Sequence, residues 1–302
     1  MSARSRVGLR EVARGWRWGA RPPLPAAVAA DVPAPPPREF PTEWARSPAA
    51  VRARALVHAA GLKPLVWSQV APQVSGLDVL EGLDGPVLFV ANHSSHLDTP
   101  LILCALPPSW RSRTAVTAAA DYFFDSWPRA VSTAFVFATV PIDRKGGAAA
   151  TTPRVLLDER WNLVVFPEGT RSGDGQLGRF RLGAAQLAAD FEVPIVPVGI
   201  RGGFAAMPRG RSWPAPGRRT VAVRFGRPLR AGGGEDVRAL TARIAREVTR
   251  LLREDETTWW ESLRQPPAPV EPVEQVRPVA HWRRVWEAYE PVASRRSRSP
   301  WD

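Results

Sequence analysis

The sequence predicts an α/β fold, a mixed sheet flanked by helices, with Pro/Arg-rich ends lying outside it. Three observations carry this. Between residues 47 and 264, short apolar runs bounded by turn residues alternate with segments of helical period. Apolar residues make up 44% of the 302-residue chain, enough to build a core. The ends differ sharply from that middle. Residues 1–46 contain PPLPAAVAADVPAPPP, and residues 265–302 contain QPPAPVEPVEQVRP and SRRSRSP. Such compositions cannot bury a core and read as disordered, basic, Pro-rich segments.

The elements follow in order. Ser47-Pro48 has the form of an N-cap and first helical position, opening a helix through about Ala60. The run VLFVAN, 87–92, follows the turn GLDGP and reads as a buried strand, with a helix after it to about Leu106. TAVTAAA, 114–120, and FVFATVPI, 135–142, read as further strands. Thr152-Pro153 starts a helix to about Glu159, and NLVVF, 162–166, is a strand. LGAAQLAADF, 182–191, is a helix, and PIVPVGI, 194–200, and TVAVRFG, 220–226, are strands. Val237, Leu240, Ile244, Val248 and Leu251 recur at helical spacing, so 235–254 is an amphipathic helix.

Charge narrows the partners. Against 29 acidic residues stand 41 basic ones, a net charge of +12. That surplus suits an anionic partner, such as a phospholipid surface, a nucleic acid or a phosphorylated small molecule. An Ala/Arg/Pro coding bias accounts for the same total. A single cysteine, Cys104, excludes an internal disulfide and fits a reducing compartment. No run of 18 apolar residues occurs, so no membrane-spanning helix is expected. The basic N-terminus lacks an apolar stretch, so no secretory signal is expected either.

The chemistry concentrates where the first buried strand ends. Of four histidines, His93 and His96 lie three residues apart, and Asp98 follows. Were 93–98 one continuous helix, five residues would turn by about 500°, leaving His93 and Asp98 about 140° apart. They meet only if His93 sits on the turn leaving the strand and Asp98 in the first helical turn. A carboxylate on one imidazole nitrogen then holds the tautomer, and the other nitrogen can take a proton. Other readings stay open. A metal site needs more ligands than this chain places nearby. A serine nucleophile wants a strained elbow such as G-x-S-x-G, which is absent. Ser94 and Ser95 read more simply as helix caps, and His96 as a packing or surface residue.

A second group follows NLVVF. Glu168 and Arg171 lie in PEGTRS just past that strand, and Arg144, beside Lys145, follows the strand ending at VPI. Ligands of open α/β sheets bind off the carboxyl ends of strands, and Arg suits phosphate. The G-x-G-x-x-G at Gly173, Gly175 and Gly178 stands too far from its strand for a dinucleotide fingerprint and reads as a flexible turn.

Taken in order, NHSSHLD, VPIDR, FPEGTRS and VPIVPVGI resemble the four blocks of the PlsC-type glycerolipid acyltransferases, over roughly residues 76–230. The resemblance implies an acyltransferase-type fold and a 1-acylglycerol-3-phosphate O-acyltransferase activity. In it His93 is the general base and Asp98 its partner. Arg144, Glu168, Gly169, Thr170 and Arg171 bind the acceptor, with Glu168 orienting Arg171 or accepting from a hydroxyl. Pro197 shapes the acyl-donor site. The implied partners are acyl-CoA or an acyl carrier protein, a lysophospholipid acceptor and a membrane surface, with no nucleic acid. No cofactor or metal is implied, since acyl-CoA enters as substrate. Where simple members of the family carry an apolar membrane segment, this chain has VHAAGLKPLVWSQVAPQV, broken by Gly61, Pro64 and Pro72. Short interfacial helices within 47–75 are expected there, placing the protein peripherally on the cytoplasmic face of the cell membrane.

Overall fold

The computed structural model describes residues 41–119, 127–142 and 151–254. The expectations for 1–40, for Arg144 and Lys145, and for 255–302 fall outside these residues. A 3-10 turn, Glu43–Arg46, stands within the stretch read as unstructured, with Ala45 buried.

Helix α1, Pro48–Val57, starts as its sequence dictates. Ser47 Oγ accepts the amide of Ala50, and Pro48 fills a first-turn position that needs no N–H. Gly61 and Pro64 do not break the chain. A π-turn, His58–Leu62, joins α1 to α2, Lys63–Gln69, and the Lys63 amide donates to the His58 carbonyl. The wider turn makes room for a proline that cannot donate. Strand β1, Ala71–Ser75, carried no apolar run in the sequence, because it is a half-exposed edge strand. Pro72 is tolerated there for the same reason.

Strand β2 is Leu88–Ala91 and α3 is Asp98–Ala105, followed by the short α4, Pro108–Arg111, and β3, Thr114–Ala119. The expected strand 135–142 divides. Its first residues close helix α5, Trp127–Phe137, and only Thr139–Ile142 form β4. Ala130 and Ala134, four apart, are buried on one stripe, and Ala138 at φ 49° ends the helix. Then come α6, Thr151–Asp158, β5, Asn162–Val165, α7, Gly183–Phe191, and β6, Ile195–Arg201. The short α8, Gly203–Ala206, strand β7, Thr220–Phe225, and α9, Val237–Arg253, complete the order. Asp236 caps α9 by accepting the amides of Arg238 and Ala239.

The sheet runs β1-β7-β6-β2-β5-β3-β4. All pairs are parallel except β6 with β7, so the sheet is mixed, as expected. Both faces are covered, which explains why central strands read as unbroken apolar runs. On β2, Phe89 and Ala91 face a core shared with Val66 of α2 and Leu101 of α3. Leu88 and Val90 face the opposite core, under α6, α7 and α9, with Leu156, Ala185 and Ile244. Phe89 meets Trp110 and Phe225 edge-on at 6.3 and 6.1 Å, so truncating it to Ala would cost about 3–5 kcal/mol. Helix α9 crosses β6 closely because position 199 is Gly; a Cβ there would lie 2.7 Å from that of Leu251. Among the described residues no helix is long and apolar enough to cross a membrane.

Candidate active site

Sheet register builds the site. Strands β2 and β5 are parallel neighbours with Val90 opposite Val165. Three residues further along each, His93 and Glu168 come level at the carboxyl ends. The Glu168 Oε1 accepts the backbone N–H of His93 at 2.6 Å, and Oε2 accepts that of Gly178 at 2.8 Å. On the other side of β2, Asn92 extends the pairing toward β6 with its side chain. Its Oδ1 accepts the Ile200 amide at 2.8 Å and its Nδ2 donates to the Ile200 carbonyl at 2.9 Å.

Residues 92–97 leave the helix uncommitted until Asp98, so His93 and Asp98 meet as the spacing argument required. His93 Nδ1 lies 3.0 Å from Asp98 Oδ2. The same oxygen accepts the amides of Ser94 and Ser95 at 2.7 and 2.8 Å. With Oδ2 acting as acceptor, Nδ1 carries the shared hydrogen and Nε2 keeps its lone pair. Asp98 is fully buried, while the His93 side chain is 17% exposed, enough to meet a substrate. The imidazole stacks on Phe166 at 4.1 Å and 22°, which leaves it little rotational freedom. The two serines do not cap α3 as expected. Leu97 is the N-cap and makes no side-chain cap bond. Ser95 Oγ instead donates to the Met207 carbonyl at 2.8 Å, tying this loop to the segment after α8.

Two glycines admit this arrangement. A Cβ at Gly203 would stand 2.7 Å from Asp98 Oδ1 and 3.2 Å from Ser94 Oγ. A Cβ at Gly178 would stand 2.6 Å from Glu168 Oε2. The 173–178 glycines therefore belong to a built loop rather than a flexible turn. Gly175 donates to Ser172 Oγ at 2.9 Å, and the Ser172 amide donates to the His93 carbonyl at 2.8 Å.

Electrostatics separate the groups. Burial raises the Glu168 carboxyl above its ordinary value, opposed by the N–H groups of His93 and Gly178. Burial, then the nearby charges of Arg171 and His93, lower His96 to about 4, so its ring is neutral near pH 7. Arg171 thus lies close enough to His96 to act on it. Gly169 adopts φ +72°, with the Arg181 guanidinium where a Cβ would go, and Thr170 is exposed. Pro197 lies within β6 opposite Val90, its carbonyl accepting the Gly226 amide at 2.8 Å where the β7 ladder ends. The sequence reading did not single out Asn92, Phe166 or Gly203. Asn92 and Phe166 each carried a local signal, a place at the end of a strand read from the sequence, whereas Gly203 carried none.

Residues 71–201 match the family model described as Acyltransferase. Over 143 residues the chain is 32% identical to a chloroplastic 1-acyl-sn-glycerol-3-phosphate acyltransferase of Brassica napus, covering 45% of this chain and 39% of that protein. It is 33% identical over 125 residues to a probable 1-acyl-sn-glycerol-3-phosphate acyltransferase of Mycoplasma pneumoniae, covering 40% and 46%. The alignments thus span less than half the length of these relatives. The crystal structure of the 1-acyl-sn-glycerophosphate acyltransferase PlsC from Thermotoga maritima superposes with a TM-score of 0.57 at 23% identity, covering 73% of this chain and 85% of that one. At that identity the likeness is one of fold.

Proposed function

The chain belongs, through residues 71–201, to the PlsC-type acyltransferase family, and on that premise we propose that it acylates the free hydroxyl of lysophosphatidic acid from acyl-CoA or an acyl carrier protein, giving phosphatidic acid. The observation that carries the reading is the 3.0 Å contact of His93 with Asp98 at the carboxyl end of β2.

In this reading His93 Nε2 removes the proton of the acceptor hydroxyl as its oxygen attacks the thioester carbonyl. Asp98 stabilises the imidazolium through Nδ1. The tetrahedral intermediate collapses, the carbon–sulfur bond breaks, and the departing thiolate takes the proton back from the imidazolium. General-base assistance of this kind contributes about 10²–10⁴ in rate. Arg171, with Arg144, holds the acceptor's phosphate, and Gly169 and Thr170 flank its glycerol. Glu168 is occupied by two backbone N–H groups, so it braces the His93 loop rather than binding substrate. The exposed apolar residues Leu56, Val57 and Leu65 along α1 and α2 support a peripheral place on a membrane, which this reading sets at the cytoplasmic face.

The test incubates purified protein and its His93→Ala variant with long-chain acyl-CoA, acyl carrier protein thioesters and a panel of lysophospholipids and simple alcohols. Free thiol and acylated product are both read. Acylated lysophosphatidic acid, lost in the variant, is the expected result. Thiol release without acylated product would replace the reading with a thioesterase. Turnover unaffected by His93→Ala would sink the general base.

A further inference from the structure

Acidic residues are missing from two long stretches of this chain, 44–77 and 193–234. The fold brings them together. Strand β1 pairs with β7, and Arg218 Nε donates to the carbonyls of Trp67 and Val70 at 3.1 and 3.3 Å. Between α8 and β7 lies the loop 208–219, PRGRSWPAPGRR. Arg209, Arg211, Arg218 and Arg219 are exposed there, and Trp213 is 57% exposed. The loop is pinned at its base, where the Ala215 amide donates to the Ala206 carbonyl at 2.7 Å. It grows from the support of the catalytic pair, since Gly203 abuts Asp98 and the Met207 carbonyl accepts Ser95 Oγ.

A tryptophan offered to water by a braced loop is poorly placed for an aqueous surface. Its apolar ring and single N–H suit the boundary between headgroups and acyl chains. Guanidiniums with no carboxylate among them suit a phosphate layer. The other acid-free stretch, 44–77, supplies α1 and α2, where Leu56, 71% exposed, and Leu65 are also apolar.

We propose that the loop 208–219 docks on an anionic bilayer, seating Trp213 at the interface and Arg209 and Arg211 on lipid phosphates. Docked so, the His93 rim faces the surface from which a lipid acceptor comes. This purpose rests on the acyltransferase reading, whereas the docking itself does not.

The test sediments the full chain with vesicles of equimolar phosphatidylcholine and phosphatidylglycerol, and with phosphatidylcholine alone. Wild type binds the anionic vesicles more tightly, and added salt weakens the difference. At about 1 kcal/mol per basic residue, the double variant Arg209→Ala, Arg211→Ala loses about 30-fold in anionic-vesicle affinity. Trp213→Ala weakens binding to both vesicles. The three side chains are exposed, so circular dichroism and Tm stay as in wild type, as does acylation of a monomeric short-chain acceptor. Variants that bind anionic vesicles as wild type does would overturn the proposal. A wild type that ignores anionic vesicles and instead shifts RNA in a gel, with the shift lost in the double variant, would also overturn it. If binding behaves as stated but no acceptor is ever acylated, the acyltransferase reading fails and the docking loop stands.

Discussion

Glu168 holds His93 by the backbone, its Oε1 2.6 Å from the His93 amide nitrogen across the β2–β5 register. His93, the proposed general base, is therefore fixed from two sides, at the ring by Asp98 and at the main chain by Glu168.

Glu168→Gln replaces one acceptor oxygen with an amide NH2 facing a backbone N–H. An expected loss of about 1–3 kcal/mol follows from leaving a buried donor unmatched. Burial raises the Glu168 pKa above 4.5, so the folded state binds the proton more readily than the unfolded chain. Stability from this group falls as pH rises from 4.5 through the raised value, and Glu168→Gln flattens that slope. Urea titrations of both proteins across that range check it; parallel curves would contradict the assignment.

Asp98→Asn keeps the volume but not the charge. Transfer is expected to drop about 10²–10⁴ in kcat, because the imidazolium loses its partner. KM for the acceptor changes little. A variant retaining wild-type kcat would show that Asp98 only shapes the loop.

Gly203→Ala brings a Cβ to 2.7 Å from Asp98 Oδ1. Stability is expected to fall by about 1–3 kcal/mol, and kcat with it as Asp98 shifts. Gly210→Ala is the control. It meets open space at φ +94°, so it carries backbone strain alone and leaves kcat intact. Equal kinetics in the two variants would remove Gly203 from the site's support.

His96 is lowered to about 4 in the folded state from 6.5. The unfolded chain therefore takes up the proton first as pH drops. The stability held above pH 6.5 is lost progressively toward pH 4, by about 1–2 kcal/mol once the partial exposure of the ring is allowed for. His96→Gln removes that loss, which a pH series of thermal midpoints detects; an unchanged series would contradict it.

Much of this was legible along the chain. VLFVAN, NLVVF, PIVPVGI and TVAVRFG are strands because buried parallel and central strands are apolar on both faces. The spacing of His93 and Asp98 required a strand-to-helix turn, and the turn is there. Strand β1 was not legible, since a half-exposed edge strand has no continuous apolar run. FVF, 135–137, misled because an apolar run at a helix end looks like the start of a strand.

The sequence by itself determined the kinds of element, the pairing of His93 with Asp98 and the family resemblance, because periodicity, turn chemistry and short motifs are local. Only the tertiary structure decided what holds that pair in place. Sheet order and register set Glu168 level with His93, and the turn after β6 brought Gly203, 105 positions beyond Asp98, against the Asp98 carboxylate. Those contacts depend on which strands become neighbours and on how closely two backbones can approach. Neither is written in any short stretch of residues.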